Sequence, residues 1–128
     1  MILFTILGLI LVAVSAVAEA IMDKIQFHFD RSIFSQDKYK QTFWNPTKSW
    51  VNKWKDDLKT ERFVGSSTIF VFTTDAWHLC KFYRNTFLFI GLPLLKFGSL
   101  NIIWAALIAR VVYGLVFTLC FDKLLVKV

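Results

Sequence analysis

Polar side chains are nearly missing from the first eighteen positions of the chain. Thr5, Gly8 and Ser15 alone relieve the apolar run, and no charge occurs before Glu19. At about 1.5 Å per residue, a helix over residues 2–22 reaches the roughly 30 Å of a bilayer's hydrocarbon core. Residues 101–121 repeat the pattern near the other end, with Arg110 as the single charge. The apolar stretch between them is more broken, carrying Asp75, His78, Lys81, Arg84 and Lys96. Split near Lys81, its second piece is about 12 residues long, the length of a re-entrant or interfacial segment. Read as one helix over residues 68–95, it makes a third span. The single helix gives the cleaner charge distribution, with Lys96 alone on the side opposite the other loop and tail charges. The pattern thus predicts an all-α, small multi-pass membrane protein with about three transmembrane helices, near residues 2–22, 68–95 and 101–121. Residues 1–128 would form one membrane domain.

Residues 23–65 follow different rules. Asn45-Pro46 resembles a helix start, Asn as N-cap and Pro at the first helical position. From there Trp50, Val51, Trp54 and Leu58 fall on one stripe, and Lys48, Lys53, Lys55 and Lys59 take most of the remaining surface. Such a helix suits the headgroup region, where indole rings and anionic lipid meet. Trp44, Trp50 and Trp54 with Lys53 and Lys55 are therefore the expected membrane-interface residues. Packing of the same tryptophans on the protein's own spans accounts for the pattern equally well. A segment this short does not build an independent core without disulfides or a metal. Cys80 and Cys120 lie outside it, in apolar segments, and read as buried thiols.

Charge decides the orientation. Fifteen Lys and Arg against nine Asp and Glu give a net +6, and much of the excess lies in residues 23–65. The positive-inside rule puts this loop in the cytoplasm and the N-terminus outside. Anionic lipid at the cytoplasmic face is the expected partner. Nucleic acid is not, because Asp37, Asp56, Asp57 and Glu61 interrupt the basic run. Ala16-Val17-Ala18 has the small-x-small form of a signal-peptide cleavage site. No basic residue precedes it and a basic loop follows, so an uncleaved first span is the expectation.

Candidate chemistry rests on a few ionisable residues. Glu19 and Asp23 are spaced i, i+4 and share a helix face; Asp75 and His78 are spaced i, i+3. These four are the catalytic candidates, since ionisable groups within a membrane are costly unless they have a use. The competing account is that they bond to each other and hold helices together. Arg84 and Arg110 fall near the same depth. An acidic partner is expected for the intramembrane charge of Arg110, Asp75 first and Glu19 second. Ala16 with Ala20, and Ala105 with Ala109, are small-xxx-small pairs that let helices approach closely. No HExxH, CxxC, GxSxG or GxGxxG occurs. Gly65-Ser66-Ser67-Thr68 lacks the Gly-Lys-Ser/Thr ending of a phosphate loop. No cofactor and no metal are expected.

Phe43-Trp44-Asn45-Pro46, Ser49-Trp50-Val51-Asn52-Lys53, Gly65-Ser66-Ser67-Thr68 and Thr74-Asp75-Ala76-Trp77-His78-Leu79 together form a pattern. It resembles one in small bacterial multi-pass membrane proteins with no assigned activity, phage-borne copies included. The resemblance covers most of the chain and implies a bacterial inner membrane, an uncleaved first span and nothing about chemistry. The favoured expectation is a non-enzymatic structural or assembly component of a membrane complex, as a homo-oligomer or with another membrane protein. One alternative is a membrane-embedded enzyme acting on a lipid-linked substrate through the Asp/Glu/His cluster. The other is a membrane protein of a lipid-containing virion.

Overall fold

The first apolar run forms one helix, α1 (Ile2–Phe27), which continues through Glu19, Asp23 and Lys24, in a computed structural model that describes residues 1–98 and 101–128. Two one-turn helices follow, α2 (Gln41–Trp44) and α3 (Pro46–Ser49), then two long ones, α4 (Ala76–Phe97) and α5 (Ile102–Leu119). A π-helical turn, Cys120–Leu124, extends α5. The described residues form isolated β-bridges and no named strand. Among the described residues two helices, Ile2–Phe27 and Ile102–Leu124, are long and apolar enough to cross a membrane.

The middle helix begins later than hydropathy predicts. The expected start was residue 68, but α4 opens at Ala76 and runs to Phe97. Polar side chains hold the preceding apolar residues off the helix. Glu61 accepts hydrogen bonds from the Gly65 and Ser67 amides at 3.1 and 3.2 Å and from the Ser67 hydroxyl. Those bonds, the Ser67 hydroxyl first, hold its carboxyl below the usual glutamate range. Gly65 has φ 79, in the left-handed region that favours glycine. Asp75 then takes an extended conformation and caps α4, accepting from the His78 amide at 2.9 Å.

The amphipathic helix expected from residue 45 onward is also cut short. Asn45 does cap α3, accepting from the Thr47 amide at 3.0 Å. After Ser49 the chain tightens into a 3₁₀ turn, Trp50–Lys53, and Trp54 is extended, bridged to Glu61. The Lys53 carbonyl, which a helix would pair four residues on, instead accepts from the Arg62 amide at 3.0 Å and the Ser66 hydroxyl at 2.7 Å. Trp44 stacks on the buried Phe34 at 4.2 Å, whereas Trp50 is exposed and Lys53 lies 5.7 Å from the Trp54 ring. Lys55 is exposed.

Contacts fix the direction of each long helix. Near the start of α1 the Thr5 hydroxyl donates to the Gly98 carbonyl at 3.3 Å, at the end of α4. Near the end of α1, Ala18 and Met22 pack with Cys80, close to the start of α4. These two helices are therefore antiparallel. Val12 packs with Ala105 and Ala109, and Ala20 and Ile25 with Cys120, so α5 runs parallel to α1. Both expected small-residue pairs, Ala16 with Ala20 and Ala105 with Ala109, are buried. Residues 28–75 and the chain's end lie at one end of the bundle. There the Ile33 amide donates to the Leu125 carbonyl at 3.1 Å and the Lys127 amide to the Arg31 carbonyl at 2.8 Å.

Candidate functional site

Antiparallel packing brings α4's polar start against α1's polar end. Ser15 and Glu19, one turn apart on α1, both face Arg84. The Ser15 hydroxyl donates to the Arg84 carbonyl at 2.9 Å, and the Arg84 guanidinium forms an ion pair with the Glu19 carboxylate. From α5 the Tyr113 hydroxyl donates to the same carboxylate at 3.5 Å. A single ion pair thereby links all three long helices. Sequence spacing gives no sign of it, because the partners stand far apart in the chain. The only hint is that Ser15 and Glu19 share a helix face.

Asp75 is buried, and its carboxylate does several jobs. It caps α4, accepts from the Thr74 hydroxyl at 3.2 Å and pairs with His78 Nδ1 at 2.7 Å. With the proton on Nδ1, the ring nitrogen left free is Nε2, the arrangement by which a carboxylate orients an imidazole for acid–base work. This pair is the one that the i, i+3 spacing predicts.

All four catalytic candidates line one open cleft of about 540 Å³: Glu19 and Asp23 from α1, Asp75 and His78 at the start of α4. Arg84 joins them, with apolar walls from Met22, Phe27 and Trp77, and Pro46 and Ser49 close the loop side. A second cleft of about 630 Å³ runs between α4 and α5, lined among others by Glu19, Asp23, Arg84, Asn85, Arg110 and Tyr113. The two clefts share Glu19, Asp23 and Arg84, so the ion pair stands between them. No group of three or more His, Cys, Asp or Glu among the described residues is placed to hold a metal.

Among the described residues Arg110 does not have the acidic partner expected for it. Asp75 is taken by His78 and Glu19 by Arg84, which α4 presents directly opposite. Arg110 is exposed, and its guanidinium lies along the helix over Gly114, where a Cβ would stand 3.1 Å from Nη1. The glycine lets the side chain reach about one turn toward the loop end. A further cation escaped the sequence reading: Lys24 is buried, its ammonium 3.7 Å from the centre of the Phe121 ring, a cation–π contact. Cys80 and Cys120 are buried free thiols, as expected. Comparison of the chain with family models, with curated proteins and with solved structures gives no match.

Proposed function

We propose that this chain is a three-span membrane protein that binds a lipid or lipid-linked molecule at the loop-side face of the bilayer. One observation carries the reading. Ionisable residues from α1 and α4 converge on an open cleft that also has apolar walls from Met22, Phe27 and Trp77. That combination suits a molecule with a polar head and a greasy body. Support for the third span comes from the 22 residues of α4, about 33 Å at helical rise, and from its antiparallel course along α1. The excess of basic residues in positions 23–65 supports a cytoplasmic loop and an outside N-terminus, in keeping with a bacterial inner membrane. Should the bound molecule also be turned over, His78 held by Asp75 is the group fitted to move a proton.

A second reading, a non-enzymatic component of a membrane assembly, has its own support. The Glu19–Arg84 and Asp75–His78 pairs satisfy much of the intramembrane charge within the chain. Meanwhile α5 leaves Ile103, Leu107, Val111 and Leu115 exposed for neighbouring helices.

Native mass spectrometry of the full chain, extracted in mild non-ionic detergent, separates the two. Lipid binding predicts a defined lipid-class adduct that survives purification and is weakened by Asp23→Asn combined with His78→Ala. A bare chain overturns that reading. A stoichiometric protein partner with no lipid overturns it in favour of assembly.

A further inference from the structure

Once internal pairs are cancelled, the cleft between α4 and α5 keeps two opposite charges. Glu19 and Arg84 neutralise each other across its floor. Arg110 and Asp23 remain, and neither has a hydrogen bond or ion pair among the described residues. They differ in depth. The Arg110 guanidinium lies over Gly114, next to Tyr113, whose hydroxyl reaches Glu19. Arg110's charge therefore sits near the level of Glu19. Asp23 is one turn further along α1, about 6 Å nearer the loop end. The cleft thus presents a free cation deeper in the membrane and a free carboxylate nearer the water.

We infer that this cleft takes the head group of an amine-bearing phospholipid, with its phosphate on Arg110 and its ammonium on Asp23. The order of charges matches such a lipid lying in its own leaflet. Its phosphate is joined to the glycerol and acyl chains, so it lies deeper than the amine. Arginine's planar fork suits phosphate oxygens, and a primary ammonium offers three donors to a carboxylate. A purely anionic phosphate amphiphile satisfies Arg110 and leaves Asp23 without a cation. A choline head group brings a cation that donates no hydrogen bond. This inference rests on the lipid-binding reading above and narrows it to one head-group class.

The test uses the full chain in nanodiscs of phosphatidylcholine doped with phosphatidylethanolamine, phosphatidylglycerol or a polyprenyl phosphate, followed by native mass spectrometry of retained lipid. Phosphatidylethanolamine should be retained over the others. Arg110→Gln should lower its retention by roughly tenfold, the order of one charge-assisted contact, and Arg110→Lys should recover part of it. Asp23→Asn should erase the advantage of phosphatidylethanolamine over phosphatidylglycerol. Lys127→Gln, which removes a positive charge away from the cleft, should change nothing. If Arg110→Gln does not fold, Arg110→Lys and Asp23→Asn still decide the matter. Lipid retained with no head-group preference, or a preference indifferent to Asp23, overturns the head-group assignment and leaves lipid binding standing. No retained lipid of any kind overturns both.

Discussion

Arg84→Leu should destabilise the chain in detergent by about 3 kcal/mol, and Glu19→Leu by a similar amount. Removing one member of a desolvated ion pair leaves the other without compensation, typically at about 3–5 kcal/mol. The side chains here keep 25% and 24% of their exposure through the flanking clefts, which puts the effect at the lower end. Glu19→Leu also loosens the point where α1, α4 and α5 meet, because it removes the acceptor of the Tyr113 hydroxyl. Glu19→Leu combined with Arg84→Leu should regain most of the loss, since two apolar side chains in lipid strand no charge. Unfolding of the four proteins in a denaturing detergent series gives the double-mutant cycle. Strict additivity would show that the pair contributes nothing jointly.

Gly91→Leu should cost about 1–3 kcal/mol, the usual range for overpacking, and Gly8→Leu at least as much. α1 and α4 cross at these two glycines. A Cβ on Gly91 would lie 3.0 Å from the Leu11 Cβ and 3.1 Å from the Gly8 carbonyl oxygen. One on Gly8 would lie 2.9 Å from the Gly91 carbonyl oxygen. Backbone on both sides has little room to give, so the helices must separate. Gly114→Ala is the matched contrast: the atom it meets is the mobile end of Arg110, and stability should barely change. Thermal unfolding of the three variants in one detergent tests the ranking. Equal losses at Gly91 and Gly114 would contradict the close crossing.

The two terminal helices were legible because long charge-poor runs leave few alternatives to a helix. Locally spaced features were legible too: the Asp75–His78 pair, the Asn45 cap and the Ala16/Ala20 and Ala105/Ala109 faces. What hydropathy could not reveal was local competition for backbone groups. The stretch before Asp75 is apolar enough to be helical, yet Glu61, Gly65 and Ser67 bind one another and delay the helix to Ala76. In the same way, Arg62 and Ser66 take the Lys53 carbonyl that the tryptophan-bearing helix would have used. The site was half legible. Glu19, Asp23, Asp75 and His78 stood out as costly charges, and all four line one cleft. The Glu19–Arg84 pair, which leaves Arg110 without an acidic partner among the described residues, follows from the antiparallel register of α1 and α4, which no short spacing encodes.

The lipid-binding reading requires three crossings, with the clefts on the loop side, and cysteine accessibility tests this most directly. Lys55→Cys, Lys96→Cys and Lys127→Cys are placed singly in a Cys80→Ala, Cys120→Ala background, all three at exposed positions. Oriented membrane vesicles are then treated with an impermeant maleimide from each side. Three spans predict that residues 55 and 127 label from the cytoplasmic side and residue 96 from the opposite side. Labelling of residue 96 from the same side as residue 55 would contradict the account, because α4 would then not cross the membrane.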